Sequence, residues 1–144
     1  MLSTASVKTI IFRSLYHCDA HEKIAKLFGI WIHGCVDGYS RYIVYLRAAT
    51  DKKSQTVEDI FVDACNGWPN GFGVGTPEQT GWASRVRVDK GTENVGLMLR
   101  QVERHYDPAD PSTLTRGSAI TGRSTENCRI EYIWRSPCHG PICI

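Results

Sequence analysis

No apolar run in the 144 residues approaches the roughly 20 needed to cross a bilayer, so no membrane span is expected. No secretory signal opens the chain. No acid precedes Asp19; Lys8, Arg13 and several Ser and Thr stand before it. That pattern faintly resembles a transit peptide, but a ragged lead-in to a strand explains it more simply. None of the six cysteines (Cys18, Cys35, Cys65, Cys128, Cys138, Cys143) forms a Cys-x-x-Cys pair. Reduced thiols in an intracellular protein, nuclear or cytoplasmic, are therefore expected. Cys138-His139 with Cys143 lacks the second ligand pair of a zinc site and reads as tail. Charge of one sign is scarce as well: 17 Lys and Arg against 15 Asp and Glu leave +2. So small an excess makes no case for nucleic acid, and any basic patch has to be local. Internal repeats and low-complexity tracts are absent.

What is present is ordinary for one compact domain: 42% hydrophobic and 22% charged residues, enough for a real core. Residues 9–19, rich in Ile, Phe, Leu and Tyr, suit a strand, and 30–36 suits a second. Asp37-Gly38 is the dipeptide of a tight turn, and 41–46 makes the return strand. Ser54 has the chemistry of a helix N-cap; Val57, Ile60, Phe61, Ala64 and Cys65 then fall on one helical face. Residues 67–81 read as a long loop and 84–88 as a fourth strand. Thr92 is a second candidate cap, ahead of a stripe of Val95, Met98, Leu99 and Val102. Residues 107–116, with Pro108 and Pro111, read as loop, and 117–121 as a short strand. Ser124 or Thr125 would cap a last helix burying Ile130, Ile133 and Trp134, with Asn127, Glu131 and Arg135 four apart on another face. Pro137 ends it. The order β-β-β-α-β-α-β-α predicts an α/β fold of ribonuclease-H-like type: three antiparallel strands, then parallel strands with crossover helices.

Two acids stand where such a sheet brings strands side by side. Asp19 lies in or at the end of the first strand and Asp89 ends the fourth. Glu131, off the buried face of the last helix, could lean over the same strand ends. Three uncompensated carboxylates would repel one another and hold each other's protons. Mg²⁺ or Mn²⁺ would resolve that, since hard cations prefer oxygen ligands. Two such ions, about 4 Å apart, clamp an in-line phosphoryl displacement. Spacing alone leaves the choice among fifteen acids open, because an Asp at a strand end is usually a turn or cap residue.

A resemblance narrows it. Tyr16-His17-Cys18-Asp19, the block Gly34-Cys35-Val36-Asp37-Gly38-Tyr39-Ser40-Arg41, the run from Ser84 through Val88-Asp89-Lys90-Gly91-Thr92-Glu93-Asn94, and the run from Ile120 through Glu126-Asn127-Cys128-Arg129-Ile130-Glu131 to Arg135 resemble the signature blocks of eukaryotic integrase-core-domain proteins. These are relatives of retroviral integrases and transposases. The resemblance implies a ribonuclease-H-like fold, a divalent-metal site on Asp19, Asp89 and Glu131 with two ions in the active form, and DNA strand transfer or 3′-end processing. DNA is the implied partner; no membrane is, and self-association stays open. Asp37 is the rival first acid, better explained by its turn. Glu93 and Glu126 suit helix starts. Lys90, Arg123, Arg129 and Asn127 are candidate nucleic-acid contacts, with Arg85, Arg87 and Arg135 nearby, although solvated charge explains such residues equally well. His17 and His21 read as structural or peripheral.

The blocks divide the chain into a poorly matched lead-in with the start of strand 1 (1–15), a catalytic-core-like domain (16–136) and an unstructured tail (137–144). The 67–81 loop looks longer than the related proteins need, and the last helix stops early at Pro137. No zinc-binding N-terminal or DNA-binding C-terminal module is evident. A shortened, transposon-derived integrase core is the leading expectation. The alternatives are a non-catalytic nucleic-acid- or protein-binding domain that keeps the fold, and a ribonuclease-H-like nuclease.

Overall fold

Alternation along the first strand decides what each face of the sheet carries. In the computed structural model, which describes residues 13–67, 81–123 and 126–135, β1 spans Leu15–His21. Tyr16 and Cys18 point into the main core, while His17, Asp19 and His21 point to the opposite face. The strand thus runs two residues past Asp19. Residues 1–12, 68–80, Ser124, Thr125 and 136–144 lie outside the described residues, and with them the expected start of strand 1, most of the long loop, both proposed caps of the last helix and the Cys138-His139/Cys143 tail.

β2 (Trp31–Asp37) and β3 (Ile43–Ala49) complete an antiparallel three-strand unit with β1. β4 (Arg85–Asp89) and β5 (Ala119–Gly122) add on the other side in parallel, giving the order β3-β2-β1-β4-β5. This is the mixed ribonuclease-H-like sheet read from the order of elements. The turn after β2 is stapled by Asp37. One carboxylate oxygen accepts the Arg13 amide at 3.0 Å, and the other accepts the Ser40 amide and hydroxyl, both at 2.7 Å. With all three bonds made in a fully buried carboxylate, Asp37 is a structural residue.

A four-residue helix, α1 (Ala25–Phe28), fills the β1–β2 connection. α2 (Ser54–Cys65) buries Val57, Ile60, Phe61, Ala64 and Cys65, the predicted face, against Tyr16, Cys18, Val86 and Val88 of the sheet. α3 (Val95–His105) packs beside α2 on the same side. Among the described residues, α4 (Cys128–Arg135) is the one helix on the opposite face, across β1 and β2.

Four local expectations change. Ser54 is the first helical residue of α2, not its cap: its hydroxyl accepts the Gly96 amide at 3.0 Å and ties α2 to α3. Asp51 makes the cap-like bonds instead, to the Lys53 amide and the Thr56 hydroxyl. Thr92 opens a 3₁₀ turn, Thr92–Asn94, and α3 begins only after it. The expected stripe of α3 is out of phase. Val95 and Leu99 are exposed, while Gly96, Leu97 and Gln101 face inward, because the Gln101 amide and His105 ring both bond the carbonyl of Ala83. Polar anchors, invisible to a hydrophobic pattern, set the rotation of that helix. In the 107–116 loop, Pro111–Thr115 forms a 3₁₀ turn capped by Asp110.

α4 is seated by three contacts. Asn127, buried just before its first turn, donates to the carbonyl of Cys18 at 2.7 Å and meets His17 Nδ1 at 2.8 Å. Ile130 is fully buried. The Trp134 ring lies over Gly34, which pairs directly with Asp19 across the β1–β2 ladder. A Cβ at position 34 would meet Trp134 Cη2 at 2.7 Å, closer than packing allows. Gly34→Ala is therefore expected to cost about 1–3 kcal/mol by overpacking. Urea unfolding followed by tryptophan fluorescence measures it; an unchanged midpoint would mean that α4 does not bear on the sheet here.

Candidate active site

The parallel register of β1 and β4 builds the site. Tyr16 pairs with Val86 and His17 with Arg87, a constant offset of 70 (86 − 16). Continued along both strands, the same offset sets Asp19 against Asp89 (89 − 19). The paired ladder ends at His17–Arg87, two residues earlier, so the acids occupy the mouth where β1 and β4 cease to bond. Both line one small pocket at the C-terminal ends of the strands, together with His33, Glu93 and Asn94. Strand ends of this kind are where open α/β sheets present ligand-binding groups.

Each carboxylate is held differently. Asp19 Oδ2 accepts the indole N–H of Trp134 at 3.0 Å. Asp89 Oδ1 accepts the Asn94 amide at 2.6 Å, and that amide also reaches the Asp89 carbonyl at 3.4 Å. Glu131, part-buried on α4, accepts from Arg135 one turn later at 3.2 Å. Burial pushes the Asp19 carboxyl from 3.8 up to about 6. The Trp134 and Ala20 hydrogen bonds pull it down, while the charges of Asp89 and Glu131 push it further up. The charges of the other two acids named from sequence therefore reach Asp19, as smaller contributions beside its burial. Hard oxygen donors whose mutual repulsion a cation would relieve are the donor set a divalent ion selects. As they stand, no three His, Cys, Asp or Glu side chains among the described residues form a group that could hold a metal ion.

The remaining candidates separate by burial. Lys90, Arg123 and Arg129 are exposed. Arg87 bonds Glu126 at 3.6 Å. Asn127 is 2% exposed with its amide committed inside the protein, so its expected nucleic-acid contact gives way to the anchoring of α4. His17, whose proton affinity burial lowers, is the other half of that anchor, as its structural reading predicted. Three residues have a part in the site that the sequence does not announce. The pattern places Trp134 only on a buried face, yet it grips Asp19. Glu93 opens a helical turn as expected and also lines the acid pocket beside Asp89. Lys52, bonded to Glu22 at 2.5 Å, has its proton affinity raised first by that bond and further by the charges of Glu93 and Asp89. Lys52 follows β3, which runs the same way as β1 and so ends at the same end of the sheet, a placement that only the topology reveals.

The raised Asp19 carboxyl gives a signed prediction. Between pH 3.8 and about 6 the folded chain holds a proton that the unfolded chain has released, so stability falls as pH rises through that window. The cost is complete above about pH 6. Asp19→Asn, which keeps an acceptor for Trp134 and removes the charge, is expected to stabilise the fold by about 1–3 kcal/mol at pH 7.5 and by nearly nothing at pH 3.5. Urea titrations at both values test it, and a destabilised variant at pH 7.5 contradicts it.

A family model described as an integrase core domain matches residues 10–140. No curated protein and no solved structure matches the chain. The five-strand order, the mixed pairing and the helix that carries Glu131 across β1 and β2 fit that match, which spans nearly the whole length, and the chain belongs to the integrase core domain family.

Proposed function

We propose that the chain is an integrase- or transposase-like polynucleotidyl transferase whose Asp19, Asp89 and Glu131 serve phosphoryl transfer on DNA. The observation that carries this reading is the register of β1 and β4, which sets Asp19 against Asp89 at an open strand mouth while α4 brings the charge of Glu131 to bear on Asp19. Mg²⁺ or Mn²⁺, held by these three acids and in the active form as a pair, would polarise the scissile phosphate and stabilise the leaving oxygen. The chain itself supplies orientation. Asn94 fixes the Asp89 carboxylate, Trp134 fixes that of Asp19, and Asn127 holds the helix from which Glu131 projects. Lys90, Arg123 and Arg129 are free to take backbone phosphates, since none of them has an ion pair among the described residues. The domain would run over residues 16–136, with DNA as partner.

Mn²⁺-dependent nicking or strand transfer on a labelled duplex is the decisive assay. Asp89→Asn is expected to lower it by about 100-fold or more while leaving the melting temperature close to wild type. Activity that survives Asp19→Asn but is lost in a folded Asp37→Asn variant would mean that the first acid is misassigned.

A second reading has its own support. Each of the three acids already has a protein partner, and Glu131 is paired with Arg135. A binding domain that keeps the fold without the chemistry is compatible with that arrangement. Metal titration separates the two: melting that rises with Mn²⁺ in wild type but not in Asp89→Asn supports the enzyme, and indifference to the ion supports the binder.

A further inference from the structure

The connection between β1 and β2 ends in an apolar tip that the proposed chemistry does not use. Leu27 is 79% and Phe28 71% exposed, and α1 buries none of its residues. The tip is nevertheless built. Phe28 donates its amide to Ile24 at 2.8 Å and Gly29 to Ala25 at 2.9 Å, with Gly29 at φ 66, where a side chain would be strained. Two large hydrophobes are thus held in water by an ordered backbone.

Charge and place indicate what they meet. Lys23 and Lys26, exposed on the same turn, have no ion pair among the described residues, and Glu22 is neutralised by Lys52. The turn leaves the C-terminal end of β1 two residues after Asp19, and Lys52 at its base feels the charges of Asp89 and Glu93. An apolar, net positive tip therefore leaves the sheet from the end that carries the acidic pocket, which would otherwise repel a polyanion.

Size selects among partners. A stable protein interface needs about 800 Å² from each side. One Phe, which buries roughly 150–250 Å² in full, and one smaller Leu fall well short of that. One or two bases, each with a flat π-face, are the right size.

We propose that this tip docks single-stranded DNA, with Phe28 stacking an unpaired base and Lys23 and Lys26 taking its phosphates, next to the pocket of Asp19 and Asp89. The proposal rests on the DNA reading of that pocket and adds the form of DNA it receives: an end with unpaired bases rather than a closed duplex.

Anisotropy titration of a fluorescein-labelled single-stranded oligonucleotide and of its blunt duplex, without divalent metal, tests it. Wild type is expected to prefer the single strand. Phe28→Ser should weaken single-strand binding by about tenfold and leave duplex binding within about twofold, while Phe28→Trp restores it. Lys23→Ala with Lys26→Ala should flatten the salt dependence by about 1.4 in slope, two contacts on a single strand. Melting curves show that each variant is folded. Unchanged single-strand binding by folded Phe28→Ser overturns the proposal, as does wild type binding neither oligonucleotide. So does an effect of Phe28 only on sedimentation, which would mark a self-contact, or only on pelleting with anionic vesicles, which would mark a membrane contact. Asp89→Asn, titrated in parallel, loses a charge that repels DNA, so it is expected to bind the single strand at least as tightly as wild type and to show the same loss on Phe28→Ser. Lost nicking with retained Phe28-dependent binding supports both readings, and retained nicking in Asp89→Asn removes the metal reading while leaving the tip standing.

Discussion

The Asp19 side of the strand mouth depends on how one helix is seated. α4 touches the sheet through a buried amide, Asn127, which bridges the His17 ring and the Cys18 carbonyl, the two positions immediately before Asp19. Unmade, such bonds would leave buried polar groups unsatisfied at a cost of about 1–3 kcal/mol each. That penalty fixes the register of the helix on β1. Trp134 then falls over Gly34 and onto Asp19, and Glu131 falls within electrostatic reach of the same carboxylate. One asparagine at a helix entrance therefore transmits the position of β1 to both acids.

Pairing sense is legible in the order of the elements, and the α2 face in helical periodicity, which reports burial directly. Asp37 was legible too, since a turn acid next to Gly announces its local bonds. The rotation of α3 was not. Its inward residues are Gly96, Leu97 and Gln101, and a polar residue bonded to a carbonyl 18 positions away leaves no periodic trace. Asn127 failed for the same reason, its partners lying about 110 residues upstream. The 70-residue interval between Asp19 and Asp89 was visible in the numbering, but its meaning needed the observed ladder. Trp134 was read only as a hydrophobe, although an indole inside a protein usually seeks an acceptor for its N–H.

The mouth combines features that stability alone would not select. A half-buried carboxyl is kept among like charges, and the paired ladder stops just short of it. Buried His17 shares its face of the sheet, and the buried thiols of Cys18, Cys35 and Cys65 lie in the main core. Strain of this kind persists when the surrounding packing over-determines it. Here the packing is the contact between α2, α3 and the inner face of the sheet on one side, and α4 on the other.

The two flanks of the 68–80 segment are clamped. The Trp82 indole bonds the Asn66 side chain at 3.0 Å, its ring meets Phe61 edge-on, and the Tyr16 hydroxyl bonds the Gly81 carbonyl at 3.0 Å. The strand that ends on Asp89 is thus launched from a fixed point, whatever the intervening chain contains. The clamps tie the approach to β4 to the end of α2 on one side and to β1 on the other, so the strand that delivers Asp89 is anchored by contacts that use none of the three acids.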